Sequence, residues 1–118
     1  MSNITELILL PLAESPDKND EGSYIVENII NPWLANQDIP TFKLITKDNL
    51  GFFCSDIYVT AWKHCPLHEK EIVDFIFSQQ WENVKGLTLL VDSDSFTDVI
   101  WHVFKVDNYK ELSKKLWR

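Results

Sequence analysis

In the run KHCPLHEKE, residues 63–71, two imidazoles and a thiol from His64, Cys65 and His68 fall beside the carboxylates of Glu69 and Glu71. Such residues can ligate zinc, or pair a thiolate with an imidazolium. A structural zinc ion takes four ligands, usually from paired knuckles, and here the fourth would have to come from His102 or Cys54. Cys65 has better local physics as a nucleophile, because a thiol at a helix N-terminus beside an imidazole loses its proton more readily. It would still need an oriented base and an oxyanion site, and no third group stands out. Pro66 accounts for the segment more simply. Proline at the first helical position, Cys65 at the cap, and Glu69 and Glu71 near the positive end of the helix dipole are the ordinary chemistry of a helix start. Neither a metal nor another cofactor is expected here. A small thiol- or metal-dependent enzyme centred on Cys65, His64 and His68 is the alternative reading.

A second constellation, VDSDSFTD, holds Asp92, Asp94 and Asp98. A calcium loop beginning at Asp92 would need an oxygen ligand at its fifth position and glycine at its sixth, where the chain has Phe96 and Thr97. The motif fails at both places, and a turn with solvated carboxylates is expected instead. No glycine-rich phosphate loop or nucleophile elbow occurs, and three glycines leave little material for one.

The elements that must position these groups are legible from hydrophobic periodicity. The apolar run Leu7–Leu12 reads as a first strand, followed by a polar loop from Glu14 to Ser23. Ile25, Val26, Ile29, Ile30, Trp33 and Leu34 recur at the spacing of one helical stripe. Pro32 interrupts it, so the helix must kink or restart with Asn31 as cap. From Pro40 the period becomes two, with Phe42 and Leu44 alternating against Lys43 before the turn residues Asp48, Asn49 and Gly51. The returning arm, Phe52–Trp62, is apolar on both faces, as in a strand inside a sheet. A helix from Pro66 to about Trp81 precedes Gly86. Next, LTLLVD and FTDVIWHVFKV form a hairpin about Asp92–Ser95, and Asp107 caps a last helix lined by Tyr109, Leu112 and Leu116.

The resulting β-α-β-β-α-β-β-α order predicts an α+β fold. It is ferredoxin-like (split βαβ), or a related mixed-sheet sandwich with helices on the sheet. At 118 residues, 45% hydrophobic and 25% charged, the chain is expected to form a single globular domain over residues 1–118. Two cysteines, no basic start before the Leu7–Leu12 run and no apolar stretch of membrane length predict a cytoplasmic protein that neither crosses nor binds a membrane.

The net charge of -7 is uneven, because Lys110, Lys114, Lys115 and Arg118 concentrate positive charge at the C-terminal end. So acidic a body repels phosphate backbones, which disfavours direct nucleic-acid binding and favours a basic protein as partner. Five tryptophans, seven phenylalanines and three tyrosines exceed what one small core needs. An exposed aromatic patch among carboxylates is therefore expected, which is the composition of a protein-binding face. In general profile, rather than by any motif, the chain is similar to the immunity proteins with which bacteria neutralise their own toxins. That likeness implies a non-enzymatic, stoichiometric inhibitor of a basic protein such as a nuclease toxin. Asp17, Asp20 and Glu21 in the first loop and Asp92, Asp94 and Asp98 in the later turn are the expected contacts. A homodimeric regulatory or structural subunit would use the same aromatic surface for self-association.

Overall fold

Alternation sets the first element. In ITELILLP, Thr5, Leu7, Leu9 and Pro11 are buried while Ile4 and Glu6 are exposed and Ile8 and Leu10 half-buried, the two-residue period of a strand covered more fully on one face than the other. The computed structural model describes residues 4–11, 24–45, 57–63, 66–81, 84–93 and 101–117; at residues 66–68 the description is of backbone alone. Among the described residues, five strands, β1 (Ile4–Pro11), β2 (Lys43–Ile45), β3 (Ile57–Lys63), β4 (Leu87–Ser93) and β5 (His102–Phe104), form one sheet. Its order is β2-β3-β1-β4-β5, and every neighbouring pair is antiparallel. The fold is thus α+β, with three α-helices among the described residues: α1 (Asn31–Asn36), α2 (Pro66–Phe77) and α3 (Tyr109–Leu116).

Cross-strand register sorts the side chains into rows. One buried row runs Tyr58–Leu9–Leu89–Phe104 and the next Thr60–Leu7–Val91–His102. Leu7, Leu9, Tyr58, Leu89, Val91 and Phe104 share a core cluster with Ile30 and Leu34 of the first helical segment and Ile72 and Ile76 of α2. The helices therefore cover one face. Each fully buried aliphatic side chain contributes about 1.5–3 kcal/mol by leaving water. Among the described residues, no helix is long and apolar enough to cross a membrane.

Several local expectations are corrected. Asn31 does not cap a restarted helix: its backbone is helical, with φ -61° and ψ -44°, and the chain passes into α1 from a π-helical turn, Val26–Ile30. That wide turn, closed by the Asn31 N–H on the Val26 carbonyl, accommodates the ring of Pro32 at the start of α1. The extra residue also rotates Ile29 off the expected stripe, leaving it exposed while Val26 and Ile30 are buried. Free of capping, the Asn31 amide clasps the backbone of Phe42: Phe42 N–H donates to Oδ1 at 2.9 Å and Nδ2 donates to the Phe42 carbonyl at 3.2 Å.

α1 ends with Asp38 at φ 58°, where the Ile39 N–H reaches the Leu34 carbonyl and the Asp38 N–H the Ala35 carbonyl, both Ile39 and Leu34 being buried. α2 stops at Phe77, short of the expected Trp81. The Ser78 hydroxyl and the Gln79 amide both donate to the Phe75 carbonyl, and the Trp81 indole N–H donates to that of Ile76 at 2.7 Å. Asn108, not Asp107, occupies the N-cap position of α3. Its side chain accepts from the Lys105 N–H at 2.7 Å and donates to the Val103 carbonyl at 3.1 Å.

Candidate functional site

The two faces of the sheet carry different chemistry. On the helix-covered face a polar row, Trp62–Thr5–Ser93, crosses one end of the sheet. Glu69, in the first turn of α2, is buried against it at 2% exposure. The Thr5 hydroxyl donates to Oε2 of Glu69, the Ser93 hydroxyl lies 3.0 and 2.9 Å from the two carboxylate oxygens, and the Trp117 indole N–H donates to Oε1 at 2.7 Å. Trp117 directly follows α3 and stacks on Phe104 with ring centroids 5.5 Å apart, while Tyr109 at the other end of α3 stacks on Phe77 at 4.5 Å. One carboxylate thus ties β1, β4, α2 and the end of α3 together. Thr5, Ser93 and Glu69 are all closed to solvent, so this arrangement acts as a clasp, with donors converging on an acceptor-only group.

Asp92, expected where the strand LTLLVD passes into a turn, lies near the end of β4, half-buried and directly opposite Glu6 of β1. This places it on the face that the helices leave open. There the row Ala61–Glu6–Asp92 runs beside the apolar row Val59–Ile8–Leu90–Val103, which Lys43 of β2 continues at its far end. One residue beyond the last β4–β5 pair, Val91 with His102, the register brings Trp101 opposite Asp92; Trp101 is 40% exposed. Ala61 carries the shortest side chain in its row, and a groove of ≈ 420 Å³ opens there. Glu6, Ile8, Thr41, Lys43, Val59 and Trp101 are among the residues lining it.

Glu6 and Asp92 set two carboxylates side by side on neighbouring strands, an arrangement that costs stability in the isolated protein and that a cation from outside would relieve. Exposed Ile4, Val103 and Trp101 set apolar surface around the pair. Such a face is suited to bind, with charge for orientation and desolvated apolar area for affinity.

Of the expected contact residues, Asp92 alone is placed. Asp17, Asp20, Glu21, Asp94 and Asp98 lie outside the described residues, as do His64, Cys65 and Cys54. His68 lies within α2, with its side chain outside the description. Among the described residues, no three His, Cys, Asp or Glu side chains come together to hold a metal ion. Sequence reasoning missed Glu6, Ala61 and the clasp at Glu69. A signal for Glu6 was present, since it is the one charged position on the alternate face of β1, between Ile4 and Ile8. The chain matches no protein-family model, no curated protein and no solved structure.

Proposed function

We propose that the protein is a stoichiometric binder of a basic protein, an inhibitor of the immunity type, and that the open face of the sheet is its binding surface. The observation that carries this reading is the Glu6–Asp92 pair, set across adjacent strands beside exposed Trp101 and an apolar row, on a face that no helix among the described residues covers. A basic partner adds cations to the pair beyond the diagonal neighbour Lys63, covers the apolar row, and is drawn in by a chain of net charge -7. A bacterial cytoplasm is the setting we assign, with a nuclease toxin as the kind of basic protein to be neutralised.

For the fold, we infer the split βαβ arrangement extended by β5 and α3. The antiparallel order β2-β3-β1-β4, with β1 inserted between β3 and β4, supports it.

The test is capture of partners from a lysate of the source cell, followed by reconstitution from purified components. A basic protein should be recovered in a fixed molar ratio, and its activity should be lost on binding. The double variant Glu6→Lys with Asp92→Lys should retain the circular dichroism of the parent and bind the partner at least ten-fold more weakly, roughly what the loss of one good charge contact costs. Recovery of no basic protein, or wild-type binding by the double variant, would sink the proposal.

A further inference from the structure

We propose that the groove over Ala61 receives an arginine side chain of the partner, its guanidinium held between the Glu6 carboxylate and the face of the Trp101 indole. This inference rests on the binding-face reading above and identifies the anchor that such a partner inserts.

The groove runs along the row from Ala61 past Glu6 towards Trp101, so its lining combines a carboxylate, an indole and aliphatic side chains, with Lys43 at the β2 end. Glu6 and Trp101 line the same space of ≈ 420 Å³, and Ala61, Val59 and Ile8 form apolar surface beneath it. A guanidinium satisfies the carboxylate and the indole at once. Its planar fork bonds a carboxylate through two parallel N–H groups, and its flat face stacks on an indole. A lysine ammonium meets the carboxylate as a point charge, holds its hydration shell more tightly and has no plane to stack. The three methylenes of arginine match the aliphatic floor, which the stem of a charged side chain can cover while its head remains polar.

Lys43 fixes the direction of entry. It lies on β2, two strands from Glu6, in the row of Val59 and Ile8 rather than that of Ala61 and Glu6. That is ~10 Å across the sheet at the spacing of neighbouring strands. Its ammonium repels a guanidinium from that end, and exposed Lys63, which follows Ala61 on the same face of β3, does so beyond Ala61, so the approach left to a guanidinium is from the Asp92 and Trp101 side of Glu6. A free anion would meet Glu6 and the adjacent Asp92. A second copy of the chain would bring its own net charge of -7 and another Glu6–Asp92 pair against the first. Charge complementarity selects a cation, and the stacking wall selects arginine among cations.

The experiment titrates the full 15N-labelled chain with N-acetyl-arginine amide and, at matched ionic strength, with N-acetyl-lysine amide. It follows the Trp101 indole N–H signal, identified by its loss in Trp101→Phe. Saturable movement of that signal is expected, with the arginine amide binding about three-fold or more tighter than the lysine amide. Glu6→Gln should bring arginine down to the lysine level, and Ala61→Leu, which fills the groove, should remove both responses. Equal responses to the two amides, no response, or an arginine response that survives Glu6→Gln would overturn the proposal. Should Ala61→Leu fail to fold, the Glu6→Gln arm decides alone. The two failures are distinguishable. If a basic partner binds through Glu6 and Asp92 while the groove shows no preference for arginine, the anchor is wrong and the binding face stands; if no basic partner exists, both fall.

Discussion

Removing the carboxylate of Glu69 would leave the Thr5 and Ser93 hydroxyls and the Trp117 indole N–H without their shared acceptor. A buried donor that loses its acceptor costs about 1–3 kcal/mol, and the Thr5 and Ser93 hydroxyls still have each other, so Glu69→Ala should destabilise the protein by about 1–3 kcal/mol in urea unfolding. Glu69→Gln keeps one acceptor oxygen and should cost less; a neutral result for Glu69→Ala would show that the clasp holds nothing. Glu6 has the opposite bearing. It faces Asp92 on the adjacent strand, so Glu6→Gln should raise unfolding stability by a few tenths of a kcal/mol, about the size of one cross-strand pair, while weakening partner binding. A variant that gains stability as it loses binding marks a residue kept for recognition, and a loss of both would place Glu6 in the scaffold instead.

At the scale of elements, periodicity identified each segment more surely than its ends. The helical stripe from Ile25 to Leu34 was legible because Val26, Ile30 and Leu34 are core residues at spacings of four. The π-helical turn was not, because it follows from where the Pro32 ring must fit, and a hydrophobic pattern says nothing of that. The early end of α2 was hidden for a similar reason: Ser78, Gln79 and Trp81 terminate it through particular hydrogen bonds to Phe75 and Ile76 rather than through glycine or proline. Asp38 offers a test of the α1 terminus. It holds a left-handed backbone at φ 58° that glycine adopts without steric cost, so Asp38→Gly should raise the unfolding free energy by about 0.5–1 kcal/mol. A fall would show that the Asp38 side chain contributes more than its backbone costs.

Across the whole molecule, charge and sheet geometry work together. With -7 spread over a small domain, association with a basic partner should slow steeply as ionic strength rises past 0.1 M, where the Debye length is about 10 Å, while dissociation changes little because the apolar row and Trp101 are uncharged. Stopped-flow rates at several salt concentrations would check this, and a salt-dependent dissociation rate would count against apolar anchoring. The acidity and the aromatic surplus were both legible in composition. Their location was not, since Glu6, Asp92 and Trp101 come from three separate parts of the chain and meet only through strand order. The order of elements and the two hairpin pairings, β2 with β3 and β4 with β5, could be read along the chain, whereas the pairing of β1 with both β3 and β4 could not be read from pattern, because alternation assigns a residue to a face but never names a distant neighbour. Glu69 shows the same limit: a glutamate in a first helical turn reads as a solvated partner for the dipole, and its burial depends on three donors brought from residues 5, 93 and 117.

The position of β1 bears on how the protein is made. The strand earliest in the chain is the middle strand of the sheet, and its neighbours are residues 57–63 on one side and 87–93 on the other. During synthesis β1, apolar apart from Glu6 and Thr5, must therefore wait for residue 63 before one edge can pair and for residue 93 before the other can. Contacts such as Thr5 with Ser93, 88 residues apart, make closure of the sheet a late and slow event. Nascent chains carrying β1 without β4 should be the species that chaperones hold, and a circular permutant that places β1 directly after β4 should fold faster than the natural order.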